Sequence, residues 1–136
     1  MSSGSQPDNL QTIFVDRSIG RRKVPGALRA LGATVIAHDE IFPDDTSDEA
    51  WLSEAGRKGW IVITRDDRIR YRPNEKEMMI ESGALVFVLT GGNLTGSRCA
   101  EILEAALQEI LTIARTQARP AIYRITSEGK ISHVRI

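Results

Sequence analysis

One cysteine, two histidines, two tryptophans and three phenylalanines are all that this 136-residue chain holds of the residue types that most often announce a site or a scaffold. The lone Cys99 excludes an internal disulfide and any CxxC metal cluster, and it points to a reducing compartment, the cytoplasm. No apolar run approaches the roughly eighteen residues that a membrane span needs, so no membrane partner is expected. Charge of one sign is missing too. Eighteen Lys and Arg balance eighteen Asp and Glu, so the strongly basic signature of a nucleic-acid binder is absent. Residues 1–10 are mostly Ser, Gly, Gln and Asn, with neither an apolar stretch nor a basic start. They read as a disordered leader, not a signal peptide. With 41% hydrophobic and 26% charged residues, positions 11–136 suit a single globular domain.

What is present is a regular alternation of short apolar runs with helical patterns. Thr12-Ile13-Phe14-Val15, Thr34-Val35-Ile36-Ala37, Trp60 to Thr64 and Ala84 to Leu89 predict four buried strands. Between them, Pro25 to Leu31 and Asp48 to Lys58 predict helices, with Gly32 and Gly59 as stops. A third begins at Pro73 and ends at Gly83. Glu40 to Thr46 predicts an acidic loop. Thr95 caps a long helix whose Cys99, Ile102, Leu103, Ala106, Ile110 and Ile113 form one apolar face. Ala121 to Thr126 and Ile131 to Ile136 flank Ser127-Glu128-Gly129-Lys130, the pattern of a β-hairpin. Strands that alternate with helices require crossovers, hence a mostly parallel sheet covered on both faces. The hairpin then adds an antiparallel edge or a separate flap.

In open α/β sheets, ligands bind outside the carboxyl ends of the strands. Asp16, Asp39 and Asp66 fall there, directly after or near three apolar runs. Oxygen ligands of this kind suit Mg²⁺ or Mn²⁺, and a metal so held activates water without a side-chain nucleophile. The charge distribution agrees. Asp39 to Glu49 holds six carboxylates and no Lys or Arg, while Arg17 to Lys23 and Arg65 to Arg72 are basic. Asp66 is nearer the strand end than Asp67, and two adjacent side chains do not easily both point inward. Asp48, judged locally, is a helix-opening residue beside a Thr46–Glu49 capping box. His38 has no partner spacing that suggests catalysis, and Trp51, Trp60 and Cys99 sit at apolar positions of their elements. Gly91-Gly92 reads as a turn.

The segments Ile13-Phe14-Val15-Asp16, Asp48-Glu49-Ala50-Trp51-Leu52 and Ile63-Thr64-Arg65-Asp66 occur in the order seen in PIN-like domains. The chain resembles that family from about residue 12 to 115, and within it the branch of VapC-type toxins from toxin–antitoxin modules. The resemblance implies an α/β/α sandwich and a metal-dependent endoribonuclease, often a homodimer held by a partner antitoxin. It implies Asp16, Asp48 and Asp66 as catalytic metal ligands, which restores Asp48 to the site. Asp67 and Asp39 are further candidates. RNA phosphates would meet Arg17, Lys23, Arg65, Arg68 and Arg70. The family often carries a further glutamate on a helix between the first and third acids, and no such helix is evident here. Asp39, Glu40, Asp44 and Asp45 are the stand-ins on a loop. The alternative is a non-catalytic PIN-like module that acts by protein or RNA binding.

Overall fold

A computed structural model describes residues 11–136; the leader expected over residues 1–10 lies outside the described residues. Six strands form one sheet in the order β2-β1-β3-β4-β5-β6. They are β1 (Ile13–Val15), β2 (Val35–Ala37), β3 (Ile61–Thr64), β4 (Leu85–Leu89), β5 (Ala121–Ile125) and β6 (Ile131–Val134). The first five run parallel and β6 is antiparallel to β5. The predicted hairpin therefore enters the sheet through its first strand, which is parallel to β4, and only its second strand is an antiparallel edge.

Among the described residues, five α-helices cover this sheet: α1 (Lys23–Ala30), α2 (His38–Ile41), α3 (Asp48–Lys58), α4 (Pro73–Ser82) and α5 (Gly96–Thr116). Continuous apolar strands follow from burial on both faces. Strand side chains alternate in direction, so Ile13, Val15, Ile61, Ile63, Leu85, Phe87 and Leu89 share one core with α1 and α5. Phe14, Val62, Val86 and Val88 share the other with Trp51, Leu52 and Ala55 of α3 and Met79 of α4. Both tryptophans are core residues: Trp51 and Trp60 lie 5.4 and 5.7 Å from the Phe14 ring.

The helix ends obey local rules. Ser47 caps α3 by accepting the Ala50 N–H at 3.1 Å, and Gly59 closes it at φ 74°, a left-handed conformation that a Cβ would strain. Thr95 caps α5 by accepting the Arg98 N–H at 3.0 Å. The expected acidic loop needs a correction, because its first residues form α2. Glu40 accepts the Ala37 N–H at 2.8 Å and pairs with Arg29 at 2.7 Å, which closes the turn. No hydrophobic periodicity can reveal so short a helix.

That backbone N–H, followed by Arg29, holds the Glu40 carboxyl below its ordinary value. A carboxyl lowered on folding stabilises the fold above its unfolded value, and the contribution is lost as pH falls through the folded value. Glu40→Gln is therefore expected to lower the melting temperature at neutral pH, with the gap closing in acid. A melting series against pH for both proteins checks it.

The strand order places the topological switch at β1 and β3. From β1 the chain first moves to β2 on one side, and β3 then lies on the other. Open α/β sheets bind their ligands in the crevice that such a reversal leaves at the carboxyl edge. Asp16 follows β1 there and Asp66 follows β3.

Candidate metal centre

A cleft of about 610 Å³ opens at that crevice, lined by Asp16, Arg17, Ser18, Asp48, Arg65, Asp66, Asp67 and Arg68. The end of each neighbouring element supplies a part. Asp16 leads a 3₁₀ turn, Arg17–Ile19, and is only 5% exposed. Its Oδ2 accepts from Ser18 Oγ at 2.7 Å and from Thr64 Oγ1 at 2.8 Å. Thr64, fully buried at the end of β3, also accepts the Asp66 N–H at 3.0 Å through Oγ1. One hydroxyl thus ties the residue after β1 to the residue two beyond Thr64.

Asp66 leads a second 3₁₀ turn, Asp67–Arg70, and its Oδ1 accepts the Arg68 N–H at 3.0 Å. Asp48 opens α3, and its Oδ1 accepts from Trp51 Nε1 at 2.9 Å. This bond satisfies a buried indole N–H and fixes the carboxylate together. Trp51→Phe keeps most of the ring packing and removes the donor. The expected result is a stability loss of about 1 kcal/mol and weaker Mn²⁺ binding, read by thermal melting and calorimetry on the same protein.

Glu75 is the acid that sequence reasoning missed. Pro73 begins α4, which puts Glu75 in the first turn, and α4 starts on the side of the sheet where β3 has just ended. Carboxylate oxygens of Asp48, Asp66 and Glu75 lie within 4.8 Å of one another. Among the described residues, that triangle is the one grouping of three such ligands. Asp16 lines the same cleft but stands outside the triangle. The signal that could have found Glu75 was positional. A helix that follows a strand across the sheet begins at the carboxyl edge, which makes an acid in its first turn a candidate for the site.

Electrostatics marks the triangle as a place for a cation. Burial raises the Glu75 carboxyl above its ordinary value, and the charges of Asp48 and Asp66 push the same way. The hydrogen bond and charge of Arg72 pull against them. Arg72 Nη1 stands 3.1 Å from Glu75 Oε2, 3.3 Å from Asp66 Oδ2 and 3.6 Å from Asp48 Oδ2. A set of three hard oxygen donors around a point already held by positive charge fits Mg²⁺ or Mn²⁺ in its chemistry.

The other candidate residues separate into those at the cleft and those elsewhere. Asp67 lines it but pairs with Arg70 at 3.1 Å. Asp39 does not line it and faces Arg21 at 3.8 Å. Glu40 and Asp44 are likewise engaged, with Arg29 and Arg21; neither they nor Asp45 join the triangle. Arg17 lines the cleft and donates to the Asp44 carbonyl, while Arg68 lines it with a side chain 72% exposed. Arg65 lines it as well, but its guanidinium donates to the carbonyls of Leu89 and Gly91 at 3.2 and 2.7 Å. Lys23 bonds Ser97 at 3.0 Å, and Arg70 lies over the Tyr71 ring at 4.6 Å; neither lines the cleft.

Comparison with known proteins gives two matches. The profile described as "PIN like domain" matches residues 12–91. A relative from Mycobacterium tuberculosis (strain ATCC 25618 / H37Rv), named "Putative ribonuclease VapC45", is 30% identical over 129 residues. The alignment spans 88% of this chain and 93% of the relative. No solved structure matches.

Proposed function

This chain belongs to the PIN-like domain family, and from that premise we propose that it is a metal-dependent endoribonuclease, the toxin of a toxin–antitoxin module. The observation that carries the reading is the triangle of Asp48, Asp66 and Glu75, of which Asp48 and Asp66 line the crevice between the ends of β1 and β3. The non-catalytic alternative rested on zero net charge and on a missing further acid; Glu75, which follows the third acid in the chain, is a candidate for that acid and favours the catalytic reading.

Asp48, Asp66 and Glu75 would hold the metal, with Asp16 on the same cleft wall. When bound, Mg²⁺ or Mn²⁺ would supply Lewis acidity at a phosphoryl oxygen and a water acidified for attack on phosphorus. The chain's own residues prepare the rest. Thr64 and Ser18 hold Asp16 in one orientation by two hydroxyl bonds. Trp51 does the same for Asp48. Arg17 and Arg68 at the rim suit backbone phosphates, contacts that position an RNA strand without reading its sequence and weaken with salt. Arg65, bonded to two carbonyls, shapes the rim between the ends of β3 and β4.

In this reading residues 11–136 act as one domain in the cytoplasm, with RNA as substrate and a cognate antitoxin and a second copy of the chain as partners. No helix among the described residues is long and apolar enough to cross a membrane. The test is incubation of end-labelled structured RNA with the protein in Mg²⁺, in Mn²⁺ and in excess chelator. Metal-dependent internal cleavage is expected. Protein that neither binds these ions nor cuts RNA in them would sink the proposal.

A further inference from the structure

Arg72 is the residue immediately before α4, and its side chain caps nothing in that helix. It turns instead to the triangle, where one nitrogen, Nη1, lies 3.1 to 3.6 Å from an oxygen of each of the three acids. Asp66 and Glu75 thus accept hydrogen bonds from a single guanidinium nitrogen, and the Asp48 carboxylate stands as an ion pair 3.6 Å from the same atom. Carboxylate lone pairs directed at an N–H are not available to a metal. Nor can two cations sit a few ångströms apart among three carboxylates without strong repulsion. Arginine stays protonated across all accessible pH, so the conflict cannot be relieved by losing a proton. Only movement relieves it. The side chain is 37% exposed, which gives it a route out of the cluster.

We propose that Arg72 is a tethered counter-ion that occupies the metal position of the metal-free protein and is displaced from it when the metal binds. The inference rests on the reading of Asp48, Asp66 and Glu75 as the metal site. It gives Arg72 two effects. Without metal, Arg72 keeps three mutually repelling carboxylates together, so the site is preformed. With metal available, it acts as an internal competitor and sets the concentration at which the site loads. A purely structural ion pair makes the opposite prediction for affinity, because its removal would let the carboxylates spread and weaken the site.

The test compares the wild type with Arg72→Gln and Arg72→Lys by calorimetric titration with Mn²⁺, and by thermal melting in chelator. Arg72→Gln is expected to bind Mn²⁺ about tenfold tighter or more, and to melt below the wild type when metal is absent. Arg72→Lys keeps the positive charge and is expected to bind Mn²⁺ close to the wild-type affinity. A Mg²⁺ titration of the ¹⁵N-labelled wild type should move the Arg72 Nε–H resonance as the guanidinium leaves the cluster. Wild-type binding of Mn²⁺ that is unchanged or weakened in Arg72→Gln overturns this inference and leaves the metal site standing. Absence of Mn²⁺ binding in both proteins overturns the inference together with the site.

Discussion

Asp66→Asn is expected to lower metal-dependent RNA cleavage by about a hundredfold or more, equivalent to roughly 3 kcal/mol of transition-state stabilisation, while leaving the fold intact. The fold survives because Asn keeps an oxygen at the position that accepts the Arg68 N–H. What it loses is one of three negative charges facing a common point. Asp67→Asn is the control. Its carboxylate pairs with Arg70 and is outside the triangle, so cleavage should change by no more than a small factor. Equal loss in both variants would mean that Asp67 contributes as much as Asp66 and that the triangle is misassigned.

Glu75→Gln adds a readout that does not depend on activity. Burial, with Asp48 and Asp66, raises the Glu75 carboxyl. A carboxyl raised on folding contributes stability below its unfolded value, and that contribution is lost as pH rises through the folded value. Ionisation of Glu75 is therefore a net cost to the metal-free protein. Glu75→Gln should melt at or above the wild type in chelator, yet lose most of the Mn²⁺-dependent rise in melting temperature that ligand binding confers. A variant that melts well below the wild type in chelator would show instead that the Arg72 ion pair dominates at Glu75.

The parts of the molecule legible in the sequence were those with a period or a punctuation mark. The four predicted apolar runs each contain an observed strand, and Gly59, Gly83 and Thr95 mark helix ends as their chemistry requires. Strand ends pointed to Asp16 and Asp66, and motif order pointed to Asp48. Glu75 and Arg72 escaped because nothing in a linear pattern says that the helix after β3 starts beside the helix after β2. Their meeting depends on α3 and α4 packing side by side on one face. Helix α2 escaped for a different reason: four residues closed by Glu40 and Arg29 carry no periodic signal. The hairpin was visible as two strands and a turn, but the parallel alignment of β5 with β4 follows from the crossover that α5 makes.

That dependence on helix packing leads to the second large effect, at a residue remote from the chemistry. Gly56→Ala is expected to destabilise the protein by about 2 kcal/mol and to weaken Mn²⁺ binding. In isolation the change should help, since Ala is favoured over Gly inside a helix by about 1 kcal/mol. Gly56, however, packs directly against Ser82 of α4. A Cβ there would lie 2.1 Å from Ser82 Oγ, 2.5 Å from Ser82 Cβ and 2.8 Å from the Ser82 carbonyl oxygen. A rotamer change can move the hydroxyl, but the Cβ and carbonyl belong to α4 itself, so the helices must separate. Asp48 opens one of these helices and Glu75 sits in the first turn of the other. Separation therefore alters the triangle as well as the core around Trp51 and Met79. The double variant Gly56→Ala with Ser82→Gly discriminates between crowding and a simple loss of helix quality. Ser82→Gly alone should cost about 0.5 kcal/mol or less, from helix propensity at the last residue of α4. In the Gly56→Ala background it removes two of the three close contacts, so it should restore stability instead of lowering it further. Part of the loss should persist, because the carbonyl contact at 2.8 Å remains. Additive losses in the two single variants would dismiss the crowding argument, since residues that share no contact show no coupling. Recovery of Mn²⁺ affinity in parallel with stability would tie the spacing of α3 and α4 to the geometry of the acids they carry.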